Sequence, residues 1–287
     1  MRFEVDESKC TLCGACVLTC PADMVREKRG AIKISWVACI GCGHCQAICP
    51  EGAISLTECD YPGAFAPLPD EVASPQALLS LLRRRRTVRR YRPDPVPRET
   101  LEQLLQAAQY VPTGANCQCQ EFTVLTAPRA INDLRQGVMD YYRAYAEALA
   151  DHEHPERLAA FGGTGIGAMH EHILAAVPSF VKNVDAGRDR LFFDAPAVIL
   201  VHARRDEVLP EAACSFATLA IVLIAEAVGL GTCITAYASL ALQALPELRA
   251  AAGVPDGHEV HHVVVVGYPA EVYQAVPPRR PVRATWL

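Results

Sequence analysis

The sequence predicts an α+β protein in two unequal parts: a small cysteine-rich domain over residues 1–58 and a larger one over residues 76–287. Three observations predict it. A twelve-residue cysteine motif is written twice within the first fifty residues. A proline-bearing segment without helical period, residues 59–75, follows it. Beyond that segment, amphipathic helical patterns are interspersed with short apolar runs of buried-strand type.

Composition sets the outer bounds. Of 287 residues, 51% are hydrophobic and 21% charged, which is globular and gives ample material for a core. The net charge of −5 argues against a nucleic-acid protein, which would ordinarily be basic. The opening "MRFEVDESK" has no apolar h-region, so it does not read as a signal peptide. The most apolar stretch, Phe216–Ala225, ends at Glu226 and is too short to span a bilayer, so no membrane association is expected. Thirteen cysteines at regular spacing, without a signal peptide, suggest reduced thiolates in a cytoplasmic protein rather than a secreted disulfide scaffold.

The repeat carries the first chemistry. Cys10, Cys13, Cys16 and Cys20 map onto Cys39, Cys42, Cys45 and Cys49 at an offset of 29 residues, and Pro21 maps onto Pro50. Each run reads C-x2-C-x2-C-x3-C-P. Three thiolates on a tight loop suit three corners of a cubane cluster. The fourth, at the following helix, points away and serves the other cluster. The expected sets for two [4Fe-4S] clusters are Cys10, Cys13, Cys16 with Cys49, and Cys39, Cys42, Cys45 with Cys20. Zinc fits poorly, because its structural sites use four ligands in two spaced pairs. "RFEV" and "AISL" read as paired terminal strands, with "AIKIS" as a middle one. Residues 1 to about 58 resemble the bacterial two-cluster ferredoxins, which implies single-electron transfer between partners. Cys59 lies outside both runs and reads as a non-ligand thiol.

In the second part a helix begins near Pro75 or Gln76, capped by Ser74. It runs into "RRRRTVRRYRPDPVP", with six arginines between Arg83 and Arg90. This run is either a solvated basic face or a phosphate site, to which the guanidinium fork is well matched. "RETLEQLLQAAQYV" places Leu101, Leu104, Leu105 and Ala108 on one buried helical stripe. Strands follow at "FTVLTA", from Ala197, and at "HHVVVVGYPAE", and a long apolar helix covers about Glu211 to Val228.

"RRRRTVRRY", "VPTGANCQ", "AEAVGLGTC", "VVVVGYPAE" and "PPRRPV" occur in an order that resembles the FMN-dependent nitroreductase family over about residues 76–283. The resemblance implies a mixed sheet flanked by helices and an intertwined homodimer with FMN in each of two interface clefts. It places Arg85, Arg86, Thr87 and Arg89 at the flavin: Arg85 and Arg86 on the phosphate, Thr87 on the phosphate or ribityl chain, Arg89 near N1 and the C2 carbonyl. A cation there stabilises the negative charge of reduced flavin. Arg279 and Arg280 are expected to reach the phosphate from the C-terminal segment. Pro112, Thr113, Asn116 and Gln118 are expected at the isoalloxazine. The turn Gly229, Leu230, Gly231, Thr232, on to Thr235, is expected behind the ring. Arg188–Arg190 align more loosely as further polar contacts.

The chain departs from the family after Asn116. Where many members read N-x-Q-P-W, this one reads Asn116-Cys117-Gln118-Cys119-Gln120, which obscures the substrate pocket. Cys117 and Cys119 supply only two ligands and read as packing residues, as do Cys214 and Cys233. No catalytic acid or base stands out; His170, His172, His261 and His262 read as structural or surface residues. No G-x-G-x-x-G follows a strand, so NAD(P)H, if used, enters the flavin cleft itself. The leading expectation is an oxidoreductase that passes electrons from a low-potential donor, such as reduced ferredoxin, through the clusters to FMN and a small acceptor of nitroaromatic or quinone type. The alternatives are outward flow from NAD(P)H to a protein partner, and a redox sensor.

Overall fold

The computed structural model describes residues 2–58, 65–154, 156–159, 161 and 175–287. Cys59, His170 and His172 lie outside the described residues. The chain divides into two compact units, Met1–Val72 with Ala115–Cys117, and Ala73–Gly114 with Gln118–Leu287.

In the first unit β1 (Arg2–Val5) pairs antiparallel with β4 (Ile54–Glu58), setting Phe3 opposite Leu56 and Val5 opposite Ile54. These are the two terminal strands expected from "RFEV" and "AISL". The middle segment, β3 (Ala31–Ile34), pairs with β2 (Val25–Lys28), a strand the sequence reading did not include. Arg29 (φ 54°) and Gly30 (φ 73°) are both left-handed, as a two-residue type I′ hairpin turn requires. The short helices α1 (Ala15–Thr19) and α2 (His44–Ala47) each start after a left-handed glycine, Gly14 and Gly43. Phe3, Val25, Ile32 and Ile54 form a small core with Cys16 and Cys45.

The second unit is built on a four-stranded sheet of order β5-β6-β8-β7: β5 Glu121–Leu125, β6 Ala197–Arg204, β8 His258–Gly267 and β7 Gly231–Ile234. All three pairings are antiparallel; the parallel component is the bridge Thr87–Thr232. Seven of the eight β6 residues are buried, the pattern of a strand covered on both faces. On one face Val198, Leu200 and Val265 share a core with α5 (Pro128–Ala150), α7 (Val177–Asp185) and α9 (Ala236–Ala244). Alternation puts the equally buried Ile199, Val201, Val264 and Val266 on the other face. There α8 (Pro210–Ala227) packs on the sheet, with α4 (Arg98–Gln109) against it.

α3 (Pro75–Arg84) starts where the sequence suggests, and Ser74 Oγ accepts from the Ala77 N–H at 3.1 Å. α4 buries Leu101, Leu104 and Ala108, the expected stripe. By length and composition α8 could cross a membrane, but Ala213, Cys214, Ala217, Ile221, Val222 and Ala225 are buried against the unit's own strands and α4. It is the core helix of this unit. α6 (Glu156–Ala159) and α10 (Pro246–Ala251) complete the described helices longer than three residues.

Candidate redox centres

The cysteine loops build two concavities in the first unit. One is lined by Cys10, Cys13, Cys16 and Cys49, the other by Cys39, Cys42, Cys45 and Cys20. In each, three thiols come from one run and the fourth from the other. The fourth cysteines have matching surroundings. Met24 N–H donates to Cys20 Sγ at 3.2 Å, and Ala53 N–H to Cys49 Sγ at 3.3 Å, both four residues on. Burial alone would raise the Cys20 thiol pKa. The backbone N–H groups of Met24, Ala22, Val25 and Asp23 outweigh it and hold the pKa below the ordinary value.

The central cysteines behave oppositely. Burial, with Cys10 and Cys13 close by, raises Cys16. Burial, with Cys39 and Cys42 close by, pushes Cys45 up to about 11. Thiols crowded in this way become thiolates only against a compensating positive centre, as the irons of a cluster provide. The donor set thus fits two cubane clusters.

In the second unit the arginine run leaves α3 and lies extended beside β7. Val88 N–H donates to the Thr232 carbonyl at 2.9 Å, and Tyr273 OH to the Thr87 carbonyl at 3.2 Å. Gly231 permits this approach: a Cβ there would stand 2.6 Å from Val88 Cγ2 and 3.0 Å from Pro269 Cγ. An extended segment sends alternate side chains to opposite sides. Arg86 and Val88, with Arg83, Arg84 and Arg92, line a concavity of about 540 Å³, completed by Glu226, Gly229, Leu230 and the Pro269–Val276 segment. Arg85, Thr87 and Arg89 do not line it. Arg89 lies beside Cys233, where it offsets part of the rise that burial gives that thiol, and its guanidinium stands 5.9 Å from the Phe193 ring centre.

Arg86 supplies the test of an anionic cofactor. One of its terminal nitrogens donates to the Arg83 carbonyl at 2.9 Å, while its Nε is buried with no partner among the described residues. A buried unpaired donor costs roughly 1–3 kcal/mol or more, and a phosphate oxygen would satisfy it. The cationic lining and the orphaned Nε therefore fit a phosphate-bearing group such as FMN.

The remaining expected residues are dispersed. Thr113 Oγ1 accepts from the Gln118 N–H at 3.1 Å, and Pro112 is exposed at the end of α4. Ala115–Cys117, which includes Asn116, groups with the first unit; Ala115, Asn116 and Gln118 all have left-handed backbones. Gly229 (φ 80°) terminates α8, and Gly231 and Thr232 belong to β7 rather than to a turn. Arg279 and Arg280 are exposed on an extended C-terminal segment beyond the residues that line the concavity. Arg188 and Arg190 are exposed, while Asp189 between them pairs with Arg135 at 2.9 Å and accepts from the N–H groups of Leu191 and Phe192. His262 Nε2 lies 2.9 Å from Ser215 Oγ, and burial lowers both His261 and His262. No disulfide links the described cysteines.

Sequence reasoning missed the acids of the concavity. Glu226 lies 3.6 Å from Arg84, and Glu271 pairs with Arg90 at 2.6 Å. It also missed Tyr273 on the Thr87 carbonyl and Tyr91, whose OH donates to the Val88 carbonyl at 2.8 Å. Tyr91 is the aromatic that closes "RRRRTVRRY", whereas no local signal ties Glu271 to an arginine 181 residues away.

Comparison with known proteins places both units. Residues 2–50 match the family model described as a 4Fe-4S dicluster domain. A curated ferredoxin from Pyrobaculum islandicum is 36% identical over 66 residues, which is 23% of this chain and 62% of that protein. The chain spans between 8% and 62% of the length of the curated relatives it matches. A crystal structure of a nitroreductase with bound FMN from Desulfitobacterium hafniense aligns with TM-score 0.51 at 20% identity, covering 73% of this chain and 97% of that one. One of oxidised iodotyrosine deiodinase bound to FMN and 3-iodo-L-tyrosine gives TM-score 0.51 at 19% identity, covering 73% and 98%. These share the fold of the second unit. The model described as Nitroreductase family matches residues 82–268, well over half of the chain. The chain therefore belongs to the nitroreductase family, and it carries a 4Fe-4S dicluster domain ahead of the nitroreductase domain.

Proposed function

We propose that this protein is an iron–sulfur flavoprotein oxidoreductase in which two [4Fe-4S] clusters feed electrons to FMN for the reduction of a small acceptor. The observation that carries the reading is the presence, in one chain, of two four-thiol concavities and an arginine-lined concavity with an orphaned buried guanidinium nitrogen. FMN, bound in the solved nitroreductase and deiodinase structures, supplies the exchange between one-electron and two-electron chemistry when bound. This chain's residues would hold it. Arg86 binds the phosphate end from within the concavity; Arg85, Thr87 and Arg89, which the resemblance puts at the flavin, do not line it. Gly229, Leu230, Gly231 and Thr232 shape the wall behind the ring. Pro112, Thr113 and Gln118 meet the isoalloxazine, and Arg279 and Arg280 approach from the C-terminal arm.

That arm supports a homodimer. From Ala270 onward every side chain is exposed, Val276, Val282 and Trp286 among them, and α3 shows Leu78, Leu79 and Leu82 to solvent. A second copy of the chain would cover these surfaces. The acceptor is nitroaromatic or quinone-like, the donor is reduced ferredoxin, and the setting is the cytoplasm.

Anaerobic stopped-flow spectroscopy tests the direction of flow, comparing reduced ferredoxin, NADH and NADPH as flavin reductants in the full chain and in a chain that lacks residues 1–60. The expected result is rapid flavin reduction by ferredoxin in the full chain alone, with dithionite reducing both. Full-rate turnover of the truncated chain with NAD(P)H, together with reduction of a separate electron carrier by the intact protein, would reverse the assignment and make the clusters an exit.

A further inference from the structure

The two cysteine runs are copies in sequence, but the chain covers their loops unequally. Gly14 follows Cys13 as Gly43 follows Cys42. Each glycine has a left-handed backbone, φ 76° and 73°, and leads into a short helix. Each also lines the four-thiol concavity served by its own run. A Cβ at Gly14 would meet nothing within 4 Å among the described residues, so that loop is bare on this side. A Cβ at Gly43 would stand 2.7 Å from Cζ of Phe65 and 3.2 Å from its Cε1. The tip of the Phe65 ring therefore rests on the Gly43 backbone, at an approach that only a residue without a side chain permits.

Phe65 belongs to neither run. It stands in the proline-bearing segment that follows β4, and it is part of the same compact unit as both loops. Exposure divides in the same way. Gly14 is half-buried and Cys13 exposed, whereas Gly43 is buried and Cys42 half-buried. The repeat itself does not account for this, because Cys-Gly is written identically in the two loops.

Cover of this kind has a redox consequence. Adding one electron to a cluster held by four thiolates adds one negative charge to a group that is already anionic. Water stabilises the more highly charged form, and its exclusion disfavours that form. Both concavities offer four thiols, so a difference between their clusters has to come from the surroundings.

We propose that Phe65 makes the two clusters unequal: by covering Gly43 it holds the cluster of Cys39, Cys42, Cys45 and Cys20 at a lower reduction potential than that of Cys10, Cys13, Cys16 and Cys49. The inference rests on the two-cluster part of the reading above, and not on the flavin or the direction of flow. An electron that enters the first unit settles on the open cluster, and the sheltered one fills only at a more negative potential.

The test uses the full chain with iron and flavin in place. It is poised anaerobically at a series of potentials with dithionite and mediators, and followed by low-temperature electron paramagnetic resonance, with iron per chain measured on every sample. The expected result is two cluster signals at separate potentials. Cys16→Ser, which gives up the first cluster, should retain the lower one, and Cys45→Ser the higher. Phe65→Ala should shift the lower potential up toward the higher, which does not move. Phe65→Leu, which keeps an apolar cover, should restore most of the separation. Gly14→Ala and Gly43→Ala carry similar left-handed strain, but only the second displaces Phe65, so only it should reproduce the shift. Should Phe65→Ala lose iron, Gly43→Ala read against Gly14→Ala decides the same point. Equal potentials in the wild type, the lower potential retained by Cys45→Ser, an unmoved lower potential in Phe65→Ala with full iron, or the same shift in Gly14→Ala would overturn the proposal. Wild-type protein without iron would strike the clusters themselves, a failure that the iron measurement separates from the others.

Discussion

Replacing Cys20 with serine tests the crossed arrangement of the thiols. In the structure Cys20 stands with Cys39, Cys42 and Cys45, although its own run supplies the opposite concavity. Four backbone N–H groups favour its thiolate. A serine hydroxyl has a far higher pKa and is a harder donor, so it does not replace the thiolate on iron. With about eight irons per chain at the start, loss of one cluster removes about four. Double variants identify which one. If Cys20 and Cys45 hold the same cluster, Cys20→Ser with Cys45→Ser lowers iron no further than either alone. Cys20→Ser with Cys16→Ser then removes both clusters, so that the losses add. The assay is iron and sulfide content of anaerobically purified protein, with low-temperature electron paramagnetic resonance of the reduced form. The opposite pattern, additive for Cys20 with Cys45 and saturating for Cys20 with Cys16, would refute the crossing. Stoichiometric zinc in place of iron would refute the clusters themselves.

Three further outcomes follow from the second unit. Arg86→Ala should weaken FMN binding by about 1.5–3 kcal/mol, the range for one charged hydrogen bond, with iron unchanged; fluorescence titration of the apoprotein reads this, and full flavin occupancy in the purified variant would return the run to a solvated basic face. Gly231→Ala should displace the Val88 backbone, because its Cβ would fall 2.6 Å from Val88 Cγ2, and should cost about 1–3 kcal/mol as well as flavin affinity. Gly229→Ala, whose Cβ meets nothing within 4 Å, should show only the roughly 1 kcal/mol of a left-handed backbone, and equal losses in thermal unfolding and flavin titration would show that the close approach at Gly231 is unimportant. Sedimentation should give a mass near twice 31.1 kDa, and a monomer that retains FMN tightly would remove the case for a paired cleft.

Features carried by local spacing were legible in the sequence. The cysteine runs need only their own spacing to define two concavities, and the buried stripe of α4 and the Ser74 cap are equally local. The unread elements depend on partners elsewhere in the chain. "VREK" of β2 has no apolar alternation and is a strand because the left-handed pair Arg29–Gly30 folds it onto β3. "GTCI" of β7 is four residues long, too short to display a period, and reads as part of a glycine turn until β8 pairs with it. α5 is legible by period alone, since Ile131, Leu134, Val138, Tyr142 and Tyr145 recur at helical intervals and are all buried.

The arginine run shows where local reading stops. Six arginines in eight positions announce a cationic segment, but a uniform charge run contains no information about which members act together. That is decided by the extended backbone beside β7, which separates Arg86 and Val88 from Arg85, Thr87 and Arg89. It also depends on Gly231, the residue without a side chain that lets the segment approach. The same logic explains why a histidine pair was invisible. His202 and His258 are separated by 56 residues and stand in strands whose dominant signal is valine and isoleucine. Only strand register brings the two core-like histidines together, with Nδ1 of one 3.0 Å from Nδ1 of the other. In both cases the residue types set the available chemistry, and strand pairing, which no window of sequence contains, selects the atoms that meet.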